Sequence, residues 1–300
     1  MSIVVVGSIA FDDVVTSSKT VNNALGGSAL YFATAASHFV EVYMVGVVGD
    51  DFPMSELEFL KMRGVNLDGV SVIKGGKTFR WGGEYEFDMN KRQTTLLELN
   101  VFENFDPELS GEAKRASYVF LGNIDPDLQL KVFGQVENPA FIAADTIECY
   151  LEDKPDRFKE VLRRINLLFI NDSEAMLFTG EKNIISAARG LLDMGPEYVI
   201  VKKGEHGSIL VSKDLFFTVP AYPTEHVVDP TGAGDTYAGG VMGYIAKMGR
   251  HDPETMKQAV VYGGLMASRL CEGFSLDTLK TLTRDDLEKM MVRFREMTSF

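Results

Sequence analysis

The chain has 300 residues, of which 45% are hydrophobic, and its mean hydropathy of -0.00 is ordinary for a globular protein. Its 43 acidic and 30 basic side chains give a formal net charge of -13, which argues against nucleic acid or an anionic membrane as the main partner. Cys149 and Cys271 lie far apart without a metal or redox spacing, and the apolar N-terminal stretch is too short to span a bilayer. We therefore expect a reduced, cytoplasmic protein without a disulfide.

The first part of the chain alternates between strand and helix patterns. Short apolar runs predict strands over residues 3–8, 42–48 and 70–73. Residues 29–39 and 53–63 follow helical periodicity, which begins a βαβ alternation.

Residues 77–101 interrupt this alternation. Their aromatic side chains alternate with polar ones around a polar sequence at residues 88–91, as in a β-hairpin. The segment has no apolar core of its own, so we predict a lid over the acceptor, with residues 11–22 as its second part and Trp81 available to stack on a sugar or base. The alternatives are a fixed sheet edge protected by charge and a homodimer contact.

The α/β alternation then resumes. Predicted strands cover residues 118–121, 140–144, 167–170 and 198–201, followed by an antiparallel edge hairpin over 208–211 and 215–219. Predicted helices cover residues 126–136, 156–164, 173–179 and 184–194. From Asp235 the chain is mostly helical, and Thr283 is predicted to cap a closing helix. We expect one wound α/β sheet in a single domain of residues 1–300.

A glycine-rich loop directly precedes the helix that starts near Asp235. Pro230 stiffens the loop, and Gly232, Ala233 and Gly234 leave their backbone N–H groups open to a ligand. The positive end of the helix dipole points toward this loop, so an anion is expected to bind there.

Asp235 is unusual in this position, because a carboxylate beside an anion site weakens anion binding unless it has a chemical role. Phosphoryl transfer provides that role, since Asp235 would accept the proton of the acceptor hydroxyl. The alternative is that Asp235 only caps the helix.

The sequence of residues 229–237, Asp-Pro-Thr-Gly-Ala-Gly-Asp-Thr-Tyr, resembles the C-terminal signature of the ribokinase-like (PfkB) family of carbohydrate and nucleoside kinases. The resemblance implies a ribokinase-like three-layer α/β sandwich with a mostly parallel sheet and a small β lid. It also implies ATP and Mg²⁺ as cofactors and an alcohol group of a sugar as acceptor. In the family the last Asp is the catalytic base and the Gly-Ala-Gly amides form the anion hole, which implies these roles for Asp235 and for Gly232, Ala233 and Gly234.

Acceptor residues are implied near the end of the first predicted strand. In the resembled family, a Gly-Gly pair at the place of Gly26 and Gly27 lets substrate hydroxyls approach the backbone, and an acid at the place of Asp12 binds them. The alternative for Asp12 is a solvated loop acid. Tyr31 stands where the family often has Asn, and together with Trp81 it keeps a nucleoside acceptor open.

Asn171 and Glu174 lie three residues apart at the start of a predicted helix. An amide oxygen and a carboxylate on one helix face suit Mg²⁺ held largely through water, whereas a capping box fits the same spacing equally well. The resemblance assigns both residues to positioning Mg²⁺ and phosphate.

The resemblance also implies a nucleotide site in the second half of the chain. The residues assigned to it are Lys202, Gly204, Gly207, Thr231 and Gly273. For the lysine, a solvated surface charge is the alternative.

The main prediction is thus an ATP-dependent sugar kinase that acts on a small molecule. A nucleoside kinase of the same family and a non-catalytic nucleotide-binding regulator are the alternatives, and the intact Asp235 argues against the regulator. The sequence leaves open the acceptor, the oligomeric state and whether a monovalent cation such as K⁺ takes part.

Overall fold

The computed structural model describes residues 1–17, 19–86, 89 and 91–299, which form two β-sheets with helices around the larger one. The strands are β1 (Ser2–Val6), β2 (Ala10–Val15), β3 (Thr20–Gly26), β4 (Glu41–Gly49), β5 (Val65–Ile73), β6 (Phe79–Tyr85), β7 (Arg92–Glu98), β8 (Tyr118–Leu121), β9 (Phe141–Ala144), β10 (Leu167–Asn171), β11 (Tyr198–Lys202), β12 (Ser208–Val211) and β13 (Phe216–Val219). The α-helices are α1 (Ser28–Ala36), α2 (Glu58–Met62), α3 (Pro126–Phe133), α4 (Glu148–Asp153), α5 (Pro155–Leu162), α6 (Asp172–Thr179), α7 (Ile184–Leu192), α8 (Ala233–Met248), α9 (Pro253–Cys271), α10 (Asp277–Thr281) and α11 (Arg284–Thr298). Within these residues, no helix combines the length and apolar character needed to cross a membrane.

The larger sheet has nine strands in the order β13-β12-β11-β10-β9-β8-β1-β4-β5. All neighbouring pairs from β5 to β11 are parallel, and β12 and β13 are antiparallel additions at one edge. The predictions of a mostly parallel wound sheet and of an edge hairpin are therefore confirmed. Because parallel strands end at the same edge, the loops after β1, β9, β10 and β11 meet there.

Both faces of this sheet are buried, which gives three layers. In β1, Ile3 and Val5 pack on the side of α1, α8 and α9, whereas Val4 and Val6 pack on the side of α3, α5 and α7. A central strand with apolar residues at every position is typical of a sheet covered on both faces.

The smaller sheet, which we call the lid sheet, has the order β3-β2-β6-β7. Its central pair β2–β6 is parallel, and the outer pairs are antiparallel. The predicted hairpin over residues 77–101 is confirmed as β6–β7, and residues 11–22 fall largely within β2 and β3. Residues 88 and 90 of the predicted polar turn lie outside the described residues.

Some predicted elements have different bounds in the structure. The helix predicted over 53–63 is a 3₁₀ turn, Met54–Leu57, followed by the short α2, because Leu57 has a bridge-region backbone (φ -93°, ψ 0°) between them. The capping prediction for Thr283 is confirmed, since its side chain and that of Asp286 form a reciprocal capping box at α11.

Candidate active site

The glycine loop lies at the N-terminus of α8, where Gly232 is the N-cap residue. Gly232 has a left-handed backbone (φ 78°), and a Cβ atom there would lie 2.4 Å from the ring of Tyr31, so only glycine fits. The N–H of Ala233 donates to the carbonyl of Pro230 at 3.1 Å, whereas the first helical turn leaves amides such as that of Gly234 without intrahelical acceptors. The amide of Gly234 is therefore better placed to bind an anion than that of Ala233.

Asp235 lies in the first turn of α8 with one carboxylate oxygen shielded from solvent. This oxygen, Oδ1, has no hydrogen-bond partner among the residues that the structure describes. Burial and the nearby charge of Asp145 raise the pKa of Asp235 to about 7, although the ammonium of Lys202 opposes this shift. A buried carboxyl group with an unsatisfied oxygen and a pKa near neutrality is suited to accept a proton from a bound hydroxyl.

Asp12 lies on β2 with only 4% of its surface exposed, and its carboxyl group covers Gly26. A Cβ atom on Gly26 would lie 1.9 Å from the Oδ2 of Asp12, and the hydroxyl of Tyr31 donates to the same oxygen at 3.5 Å. Burial, followed by the charges of Asp229 and Asp235, raises the pKa of Asp12 to about 8. The structure thus brings together the predicted acceptor residues Asp12, Gly26 and Tyr31.

Gly27 has a structural role at the start of α1. It is the N-cap residue of that helix with φ 97°, and a Cβ atom there would lie 2.5 Å from the carbonyl oxygen of Ser8. Glycine is therefore required at this position by the backbone, independently of any acceptor.

The lid sheet contributes an aromatic ring and a cation to this site. Trp81 is the register partner of Asp12 in the parallel pair β2–β6, so both side chains leave the same face of the lid sheet. The guanidinium of Arg92 lies 5.1 Å from the centre of the Trp81 ring, and its charge counteracts the effect of burial on the pKa values of Asp12 and Asp235. Sequence reasoning did not assign Arg92 to the site.

A hydrogen bond joins the lid sheet to the glycine loop. The hydroxyl groups of Tyr85 at the end of β6 and of Thr231 lie 3.0 Å apart, and both side chains are buried. The backbone N–H of Thr231 also donates to Asp229 at 2.9 Å. Thr231 therefore connects the loop to the lid, and its contact with a nucleotide stays a prediction.

Asn171 and Glu174 form a complete capping box at α6. The amide oxygen of Asn171 accepts the N–H of Glu174 at 2.7 Å, and the Oε2 of Glu174 accepts the N–H of Asn171 at 3.0 Å. Burial raises the pKa of Glu174 to about 7, with Lys202 opposing. In the described part of the chain, no group of three or more acidic, His or Cys side chains is arranged to hold a metal ion. The capping alternative therefore describes the observed contacts, and the Mg²⁺ role stays a prediction.

Lys202 pairs with an acid that sequence reasoning missed. Its Nζ lies 2.5 Å from the Oδ2 of Asp145, whose side chain is 3% exposed. Asp145 directly follows the apolar strand β9, so its place at the carboxyl edge of a parallel sheet was the signal that could have identified it.

The remaining residues assigned to a nucleotide lie in turns: Gly204 and Gly207 between β11 and β12, and Gly273 after α9. Gly204 opens a 3₁₀ turn with φ 53°, and a Cβ atom on Gly207 would lie 2.0 Å from the carbonyl oxygen of Val219. Gly273 follows α9, and a Cβ atom there would lie 2.7 Å from the side chain of Thr278. The positive φ of Gly204 and the close contacts at Gly207 and Gly273 account for glycine at these three positions. That the three residues contact a nucleotide stays a prediction.

The chain is similar to known kinases along most of its length. Residues 2–279 match the family described as pfkB family carbohydrate kinase. The cytidine kinase of Thermococcus kodakarensis is 29% identical over 249 residues, which cover 81% of this chain and 87% of that protein. The nucleoside kinase of Burkholderia thailandensis, solved in complex with inosine, has a TM-score of 0.79 and 19% identity over 99% of this chain and 98% of that chain. A putative ribokinase II from E. coli, solved with ATP and Mg²⁺, has a TM-score of 0.81 and 20% identity over 97% of this chain and 99% of that chain. The ribokinase-like fold implied by the resemblance is confirmed.

Proposed function

This chain belongs to the pfkB family of carbohydrate kinases, and we propose that it transfers the γ-phosphoryl group of ATP to a hydroxyl group of a nucleoside. The observation that carries the catalytic part of this proposal is the buried, unsatisfied oxygen of Asp235 at the N-terminus of α8. The acceptor corner, formed by Asp12 and Gly26, lies next to the glycine loop, because Tyr31 donates its hydroxyl to Asp12 and packs its ring against Gly232.

The reaction follows from this arrangement. The acceptor hydroxyl is held by Asp235 while its oxygen forms a bond to the γ-phosphorus, and the bond from that phosphorus to the ADP oxygen breaks. An alcohol is too weak an acid to ionise first, so its proton passes to Asp235 late in the step. The first-turn amides of α8 neutralise charge on the transferred group. Mg²⁺, when bound, neutralises phosphate charge, and Asn171 and Glu174 would hold it through water.

A nucleoside acceptor is favoured over a simple sugar by the lid. Trp81 lies beside Asp12 with the guanidinium of Arg92 against its ring, which suits a planar base stacked next to the sugar that Asp12 holds. Tyr31 packs between this corner and the glycine loop. The similarity to a cytidine kinase and to a nucleoside kinase that binds inosine supports the same acceptor class. The second candidate is a sugar kinase, because the Asp12–Gly26 corner would bind the hydroxyls of a free sugar equally well.

An acceptor screen tests the proposal. ADP release with ATP and Mg²⁺ should be largest with cytidine, adenosine or inosine and much smaller with ribose, fructose or inositol. The Asp235→Asn protein, purified in parallel, is the control for contaminating kinases. If turnover were largest with a sugar, the protein would be a sugar kinase instead of a nucleoside kinase. If no acceptor were turned over, a non-catalytic nucleotide-binding regulator would be favoured.

Trp81 should report the binding of the acceptor. It is the only tryptophan in the chain, so its emission reads out the lid sheet without mutation. We expect the true acceptor, and not ATP alone, to change this emission, because closure removes water from the acceptor side. Trp81→Ala should raise the KM for the acceptor more than the KM for ATP.

Trp81→Phe is the matched control, because it keeps a ring for stacking and should retain most of the acceptor affinity. Hydrogen exchange over residues 77–101 gives an independent measure of closure. If saturating acceptor changed neither the emission nor the exchange, the segment would be a fixed edge or a dimer contact instead of a lid.

Glu174 should affect the Mg²⁺ requirement if it positions the metal. We expect Glu174→Ala to raise the Mg²⁺ concentration for half-maximal rate more than it raises the acceptor KM. Glu174→Gln separates the two roles, since Gln can still accept the N–H of Asn171 but has no charge. A raised Mg²⁺ midpoint in both variants supports the metal role, whereas a defect in the Ala variant alone would leave only the capping role.

A further inference from the structure

The buried ion pair between Lys202 and Asp145 lies where the ends of the parallel strands approach α8. Because β10 lies between β9 and β11, the two outer strands are separated by about 9–10 Å. Lys202 ends β11 and Asp145 follows β9, yet the Nζ of Lys202 reaches the Oδ2 of Asp145. The lysine side chain therefore extends across the end of β10 instead of into solvent.

Asp145 is fixed more firmly than its partner. Its Oδ1 accepts the N–H of Thr146 at 2.9 Å, and its carbonyl oxygen accepts the side-chain amide of Gln129 at 2.9 Å. The same amide nitrogen donates to the carbonyl of Gly122 at 2.8 Å, and Gln129 is fully buried. The position of the Lys202 ammonium is therefore determined by Asp145.

The ammonium of Lys202 also lies against the first turn of α8. A Cβ atom on Gly234 would lie 3.2 Å from its Nζ. A cation is normally disfavoured at a helix N-terminus, which carries partial positive charge. Burial opposes the charged form of Lys202, but the carboxylates of Asp145 and Glu174 outweigh it, and the pKa of Lys202 is raised. A protonated lysine that faces helix amides favours an anion between the two.

We infer that Lys202 is a catalytic residue that contacts the phosphoryl group during transfer, and that Asp145 is the positioning residue that holds its ammonium beside α8. The inference rests on the proposed kinase function. As the phosphorus–oxygen bond to the acceptor forms and that to ADP breaks, the acceptor proton passes to Asp235 and Lys202 keeps its own. Its charge neutralises the oxygens of the transferred group, in addition to the amide of Gly234. A buried ion pair is weak evidence for stability, so stabilisation alone does not account for this one.

Four variants test the inference. Lys202→Met should lower kcat by about 10²–10³-fold, the usual effect of removing one donor to a transition-state oxyanion. Lys202→Arg keeps the charge and should recover part of this loss, and Asp145→Asn should lower kcat in the same direction by a smaller factor. Lys203→Met is the matched control, since it changes a neighbouring lysine that has no place in the proposed role, and its kcat should stay unchanged.

Equilibrium binding gives a readout that does not depend on turnover. The wild type should bind MgADP with aluminium fluoride, which mimics the transferred group, more tightly than MgADP alone. Lys202→Met and Asp145→Asn should lose this gain while keeping their Kd for MgADP. A Lys202→Met protein that kept both the wild-type kcat and the higher affinity for MgADP with aluminium fluoride would overturn the inference. So would a Lys202→Met protein in which kcat and melting temperature fell but this higher affinity persisted, because the loss of rate would then come from lower stability. If Asp235→Asn lost activity and Lys202→Met did not, the proposed kinase function would stand and the role of Lys202 would be wrong. If no acceptor were phosphorylated, the proposed function would fail, and the binding measurement would still test the role of Lys202.

Discussion

Replacement of Asp235 by Asn should lower kcat by about 10²–10⁴-fold, the usual contribution of a positioned general base. Asparagine has the same shape but cannot accept the acceptor proton. ATP should still bind, with equal or higher affinity, because a negative charge beside the phosphates is removed. Steady-state kinetics with saturating substrates and equilibrium binding of ATP measure the two effects separately.

The pH profile should identify the same group. Burial raises the pKa of Asp235 to about 7, and a base must be ionised to act, so the kcat of the wild type should fall as the pH drops below this value. The residual rate of Asp235→Asn should lack this dependence.

The contribution of Asp235 to folding stability should depend on pH in the opposite direction to kcat. A carboxyl group with a raised pKa in the folded state favours folding while it is protonated, and this contribution is lost as the pH rises through the folded pKa. Asp235→Asn cannot ionise, so its melting temperature relative to the wild type should be higher at pH 8 than at pH 5. The exposed Asp214→Asn is the matched control and should change neither property. If Asp235→Asn retained the wild-type kcat, the assignment of the general base would be wrong.

Local sequence patterns were sufficient for most of the larger sheet. Its strands are short apolar runs buried on both faces. In β1 every residue from Ile3 to Val6 is apolar, which predicts a central strand covered by helices on both faces. The glycine loop was equally informative, because Gly232 needs a left-handed backbone at the start of a helix.

Other features depend on contacts that a local pattern does not contain. β3 (Thr20–Gly26) includes two asparagines, one of which, Asn23, has φ 55°, so its strand character comes from pairing with β2. The pair of Lys202 and Asp145 joins residues 57 positions apart and follows from the strand order. Arg92 lies on an exposed edge strand, where a charged residue normally has only a solubility role.

The acceptor corner provides the second large effect. Gly26→Ala should lower kcat/KM for the acceptor by about 10²-fold, the scale expected when a reacting group is misplaced by roughly 1 Å. The new methyl group would occupy the position of the Asp12 carboxyl, since a Cβ atom on Gly26 would lie 1.9 Å from its Oδ2. Asp12 must therefore move away from the acceptor hydroxyls. The Kd for ATP should change little, because the nucleotide is predicted to bind to the other half of the chain.

Gly111→Ala is the matched control, because a Cβ atom there meets nothing within 4 Å, and its kcat/KM should equal that of the wild type. A double-mutant cycle with Asp12→Ala then tests the cause. If Gly26→Ala acts by displacing Asp12, the double variant should be no worse than Asp12→Ala alone, since the carboxyl that is displaced no longer exists. Losses that simply add would mean that the methyl group blocks the approach of the acceptor to the backbone. An unchanged kcat/KM in both single variants would instead remove Asp12 and Gly26 from the acceptor site.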